Sequence, residues 1–174
     1  MIEEITAKAL DTRSFIAGQV EQIRATVGGG QAINALSGGV DSSTVTMLGH
    51  RALGKQLRTV FVENGLMREG EPLRVVKLFR RLGVEVELVD ARREFFAALA
   101  GISDPEQKRE AITQTFYREV FGRLVKESGA RFLLQGTILT DVDETVAGIK
   151  RQHNVFEQLG IDPRRPSAIG SWSR

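Results

Sequence analysis

The stretch Ser37-Gly38-Gly39-Val40-Asp41-Ser42-Ser43 combines residue types and spacing that can do chemistry. Glycines at 38 and 39 let the backbone turn tightly and bring its N–H groups close to an anion. A helix expected to start directly after them adds unpaired N–H donors and a partial positive charge. Ser37, Ser42 and Ser43 supply further hydroxyl donors without crowding. Asp41 is odd in an anion cradle unless it serves another purpose, such as helping to hold Mg²⁺ against phosphates. The plain alternative is an ordinary β–α turn in which Asp41 or Ser42 caps the helix. No Gly-Lys-Ser/Thr follows, which argues against transfer of a γ-phosphate from a Walker A loop; Gly-x-Gly-x-x-Gly is missing as well, so dinucleotide binding is disfavoured.

The elements that must position this loop follow from periodicity. Ile5 to Val27 carries Phe15, Ile16, Val20, Ile23 and Val27 at helical spacing and ends at Gly28-Gly29-Gly30. Ala32 to Leu36 is a short apolar run bounded by turn residues, which fits a buried strand. Asp41 to Leu53 then reads as a helix, Leu57 to Glu63 as a strand, Glu69 to Leu82 as an amphipathic helix and Val84 to Val89 as a strand nearer the sheet edge. A short helix over Arg92 to Leu99, a long one over Glu106 to Ser128, a buried strand over Arg131 to Gln135 and a helix over Asp141 to Lys150 complete the pattern. Strands alternating with helices of this length predict a doubly wound α/β domain, a parallel sheet with helices on both faces. Ligands of such sheets sit outside the carboxyl ends of the strands, so the informative loops are those after Leu36, Glu63 and Gln135.

Composition sets the outer bounds. The chain has 174 residues, 41% hydrophobic and 26% charged, which excludes disordered and collagen-like classes and suits one domain. A formal net charge of +2 with no long Lys/Arg block gives no footing for nucleic acid. No apolar run approaches the roughly 20 residues of a membrane span. The acidic start Met1-Ile2-Glu3-Glu4 lacks a signal pattern, so a cytoplasmic location is expected. The absence of cysteine removes disulfides, thiolate zinc sites and Cys-nucleophile mechanisms.

Ser-Gly-Gly-Val-Asp-Ser-Ser resembles the PP-loop signature of the N-type ATP-pyrophosphatases, and further stretches are similar to motifs of the GMP synthetase branch. These are Val60 to Arg68, Ala98 to Arg109, Gln135-Gly136-Thr137-Ile138 and Ile149 to Asn154, in that order along the chain. The resemblance implies an adenine nucleotide alpha hydrolase-like fold, with ATP and Mg²⁺ as cofactors. It places ATP's pyrophosphate on Ser37, Gly38, Gly39, Val40, Asp41, Ser42 and Ser43, with Asp41 toward the metal. Adenine would lie near Val62 and Leu66, where core packing is the competing reading, and Gln135, Gly136 and Thr137 would line the far side. Lys150 would put a cation on the phosphates, His153 lies in the same motif, and Lys108 and Arg109 belong to a region that closes over substrate in the family. The implied acceptor is xanthosine monophosphate, and ammonia arrives free or from a separate glutaminase subunit, since glutamine hydrolysis needs a cysteine that this chain lacks.

The sequence also departs from that pattern. Glu63 stands where the family usually has Asp, Gln152 replaces a histidine, and the segment from Asp141 to Lys150 is short. The expected organisation is a helical lead-in over residues 1–27, an ATP-pyrophosphatase domain over 28–160 and an irregular tail over 161–174 in place of the family's dimerisation domain. Two other readings remain open: a related adenylating enzyme with another acceptor, and a shortened ATP-binding paralogue without catalysis.

Overall fold

The computed structural model describes residues 11–136, so the expectations for Thr137, Lys150 and His153, and for a helix over Asp141 to Lys150, lie outside the described residues. Helix α1 (Thr12–Val27) is followed by β1 (Ala32–Ala35), α2 (Val40–Leu53), β2 (Leu57–Glu63), α3 (Glu71–Arg81), β3 (Val86–Asp90) and α4 (Arg92–Leu99). Next come α5 (Pro105–Gln114), a π-helical segment (Thr115–Phe121), α6 (Gly122–Ser128) and β4 (Phe132–Leu133). Among the described residues four strands form one parallel sheet in the order β3-β2-β1-β4. The expected parallel α/β architecture is therefore present.

Side-chain alternation along the strands divides the core between the two faces. On one face Ala32 and Leu57 join Ile23 and Val27 of α1 and Val45, Leu48 and Ala52 of α2. Farther along that face, Leu36 and Phe61 pack with Val76 and Phe79 of α3. On the other face Ile33, Val60 and Val62 meet Phe95 of α4, Val120 and Phe121 of the π segment, and Leu124 of α6. Running β1 to β2 to β3 in one direction and then placing β4 on the far side of β1 puts the topological switch between β1 and β4. That is the crevice where a ligand is expected.

Three elements differ from the sequence reading. The helix expected from Ile5 is not continuous through Asp11, which leaves helical geometry (φ −74°, ψ 97°) and whose carboxylate accepts from the Arg13 and Ser14 amides as the N-cap of α1; the part of that expectation over residues 5–10 lies outside the described residues. The helix expected without interruption over Glu106 to Ser128 contains the π-helical stretch. A π turn brings residues five apart onto one face, and here it stacks Phe116 on Phe121 with ring centroids 5.7 Å apart and planes 7° from parallel. The strand expected over Arg131 to Gln135 is β4, which pairs through Phe132 and Leu133 alone against Ala32 and Ile33. β3 lies at the edge of the sheet, as its alternating pattern predicts.

Candidate functional site

β1 ends at Ala35, and the chain then passes from buried Leu36 through exposed Ser37, Gly38 and Gly39 into α2. Gly38 takes the turn at φ +85°, a region open to glycine at little cost, with a Val75 methyl 3.0 Å from where a Cβ would stand. The N-cap of α2 is Gly39, and no side chain caps the helix. Neither Asp41 nor Ser42 therefore serves as the cap of an ordinary β–α turn. Asp41 is exposed within the first turn instead.

Ser42 braces the loop from inside. Its Oγ accepts from the Ser37 amide at 3.2 Å, lies 2.8 Å from Ser37 Oγ, and donates to the Gly39 carbonyl at 3.2 Å. Ser37 Oγ in turn accepts from the Gly39 amide at 3.3 Å. These bonds close the loop on itself, while Val40, 79% exposed, projects into solvent.

The segment after β4 comes to the same place. A Cβ at Gly136 would stand 3.1 Å from a Val45 methyl and 3.3 Å from the Asp41 backbone, so the chain at 135–136 lies directly against the start of α2. Gly136 and Asp41, far apart in sequence, thus meet at the switch between β1 and β4, with half-buried Gln135 alongside.

The other expected site residues are spread more widely. Val62 is 5% exposed and belongs to the core with Ile33, Ala91 and Phe95. Leu66 is 47% exposed beyond the end of β2, and its amide is held by Asn64 Oδ1 at 2.9 Å. Glu63 turns its carboxylate back onto the Gly65 amide at 2.8 Å. Gly65 has the Phe96 ring against it, with a ring atom 2.6 Å from where a Cβ would lie. At the end of β3, Arg92 holds the Asp90 carboxyl down to about 2, chiefly through side-chain hydrogen bonding at 2.8 and 2.5 Å. Lys108 and Arg109 are exposed on α5, where Arg109 pairs with Glu106 at 2.7 Å; α5 packs on α4 and runs on directly into the π segment.

Sequence reasoning missed the polar residues beneath the loop. Asn34, Thr46 and Thr59 are buried to within 2% exposure. Thr59 Oγ1 donates to Asn34 Oδ1 at 2.8 Å, Asn34 Nδ2 donates to Thr46 Oγ1 at 2.6 Å, and Thr46 Oγ1 donates to the Ser42 carbonyl at 2.7 Å. The available signal was an asparagine inside an otherwise apolar strand.

A family model described as NAD synthase matches residues 11–118. Among curated proteins the chain is similar to a subunit of the glutamine-hydrolyzing GMP synthase of Archaeoglobus fulgidus, 48% identical over 146 residues, 84% of this chain and 47% of that protein. The corresponding subunit of Thermococcus kodakarensis is 52% identical over 143 residues, covering 82% of this chain and 46% of that one. The chain spans about half the length of the curated relatives it matches. Among solved structures it resembles the NH3-dependent NAD synthetase of Campylobacter jejuni in complex with nitrate, with a TM-score of 0.62 at 13% identity over 90% of this chain and 77% of that one. The glutamine-dependent NAD+ synthetase of Acinetobacter baumannii in complex with ADP gives a TM-score of 0.60 at 19% identity, over 98% and 36% of the two chains. These two likenesses show the fold. The family match shows the membership: this chain belongs to the NAD synthase family.

Proposed function

We propose that the chain is the ATP-pyrophosphatase part of a GMP synthase, cleaving ATP between its α- and β-phosphates to adenylylate xanthosine monophosphate. The observation that carries this reading is the loop: Gly39 starts α2 without a side-chain cap, at the crevice where Gly136 closes against Asp41. Uncapped first-turn amides are free to meet an anion, and the helix dipole favours it. In the reaction the acceptor's 2-oxygen attacks the α-phosphorus and the bond to the pyrophosphate breaks. Ammonia then forms a bond to the purine carbon while AMP leaves. The loop's work is to hold the departing pyrophosphate in place as its charge grows.

Mg²⁺ fits the donor set. Asp41 offers an exposed carboxylate in the first turn of α2, and no group of three or more ligand-type side chains gathers among the described residues. That suits a cation carried mainly by phosphates. Bound there, it would neutralise phosphate charge. On the grounds of their motifs alone, Lys150 is assigned a cation role on the same phosphates, Gln135, Gly136 and Thr137 the lining of the nucleotide, and Lys108, Arg109 and His153 a role at the substrate or in a lid over it. The curated relatives are named as one subunit of a glutamine-hydrolyzing enzyme, which supports a separate glutaminase partner as the ammonia source. Among the described residues no helix is long and apolar enough to cross a membrane.

A second reading rests on the family match itself. Its description is NAD synthase, so a PP-loop enzyme with a different acceptor is the alternative. One assay separates them: the chain is incubated with Mg-ATP, ammonia and xanthosine monophosphate, and AMP, pyrophosphate and GMP are followed. GMP formation supports the first reading. AMP released only with another acceptor supports the second, and nucleotide binding without turnover on any acceptor contradicts both.

A further inference from the structure

We infer that Thr59, Asn34 and Thr46 are positioning residues that hold the phosphate loop in shape from below, a role that rests on the reading of that loop as an ATP site. Asn34 and Thr59 stand opposite one another in the β1–β2 register, and both face α2. They lie in a layer that is otherwise apolar, between Ala32, Val45 and Leu57 on one side and Leu36 and Phe61 on the other. Burying polar groups in such a layer costs free energy unless each is paired, and apolar side chains of similar shape would serve packing as well or better. Stability alone therefore gives little reason for them.

The donor inventory gives the strut a direction. Thr59 Oγ1 donates to Asn34 Oδ1, which orients the amide so that Nδ2 donates to Thr46 Oγ1. The Thr46 hydroxyl must then donate onward, and it does so to the Ser42 carbonyl. Ser42 is the residue whose Oγ ties together the Ser37 amide, the Ser37 hydroxyl and the Gly39 carbonyl. Its carbonyl is pinned from beneath while its hydroxyl braces the loop above. A loop held this way is ordered before ligand arrives, so binding need not supply the ordering free energy.

The test uses Thr46→Val, Thr46→Ser and the triple variant Asn34→Leu/Thr46→Val/Thr59→Val, which replaces the strut with apolar side chains. Two readouts are taken: Mg-ATP affinity by calorimetry, and amide hydrogen exchange across residues 37–43 without nucleotide. Expected for Thr46→Val and the triple variant are roughly tenfold weaker Mg-ATP binding and correspondingly faster loop exchange, with α1 exchange unchanged and Thr46→Ser within about twofold of the parent chain. Should Thr46→Val fold poorly, the triple variant carries the test, because it leaves fewer buried partners unpaired. Parent-like loop exchange and parent-like affinity in the folded triple variant overturn the inference. If the parent chain binds no Mg-ATP, the ATP reading fails while loop exchange still decides the strut.

Discussion

Gly136 packs on Asp41 so closely that a Cβ at position 136 would stand 3.3 Å from both the carbonyl carbon and the Cβ of Asp41. The contact joins the end of the β4 segment to the first turn of α2 and fixes the width of the crevice between them. Gly136→Ala pushes these two apart by a few tenths of an ångström. The expected result is several-fold weaker Mg-ATP binding with a fall in Tm of only a few degrees, read by calorimetry and thermal unfolding. A variant that binds as tightly as the parent would show that the crevice plays no part in nucleotide binding.

Gly38 presents a different constraint. Its φ of +85° is strained for any residue with a Cβ, and that Cβ would also meet Val75 at 3.0 Å. Gly38→Ala is expected to cost about 1–2 kcal/mol and to abolish most nucleotide affinity. Adding Val75→Ala relieves the contact but not the dihedral strain, so the double variant should recover little affinity. Full recovery would show that steric contact alone, and not backbone geometry, makes glycine necessary there.

Gly49 sets how near α2 lies to the sheet. A Cβ there would stand 2.5 Å from Leu134 Cδ2 and 2.8 Å from Leu57 Cδ2, both in the buried core. Alanine gains about 1 kcal/mol of helix propensity over glycine, whereas overpacking costs about 1–3 kcal/mol. The clash is expected to win, so urea unfolding of Gly49→Ala should show a net loss of up to ~2 kcal/mol.

Asp90 gives a pH dependence with a definite sign. Its carboxyl is lowered from 3.8 to about 2, first by the Arg92 side chain and then by the Arg92 amide. The stabilisation is therefore present above the unfolded value and lost as pH falls from near 3.8 toward about 2. Both groups are exposed, so the effect is small and weakens with salt. Asp90→Asn should lie slightly below the parent in stability at about pH 6, and the gap should close by about pH 2. Urea titrations across that range check it, and a gap that widens on acidification contradicts the assignment.

Most of the fold was legible because the strands and helices obey simple periodicity: the short apolar run Ala32 to Leu36 and the β-branched and aromatic residues of Leu57 to Glu63, each bounded by turn residues, read as strands between helices. The loop from Ser37 to Ser43 was legible because glycines 38 and 39 sit at the junction of two such elements. What was not legible depends on partners distant in sequence. Nothing local to Asn34 announces Thr46 and Thr59, since their pairing arises from strand register and the docking of α2. The π segment was missed for a similar reason, because helical spacing over Glu106 to Ser128 looks continuous until Phe116 and Phe121 stack. Val62 packs in the core, the reading that stood beside the adenine assignment from the start.

The central claim is that the loop from Ser37 to Ser43 holds the pyrophosphate end of ATP. Amide chemical shifts of that loop, followed while the chain is titrated separately with Mg-ATP, Mg-pyrophosphate and AMP, test it most directly. ATP and pyrophosphate are both expected to move the Gly38 to Ser43 amides, and AMP to leave them in place. Loop amides that ignore pyrophosphate, or that respond to AMP instead, would contradict it.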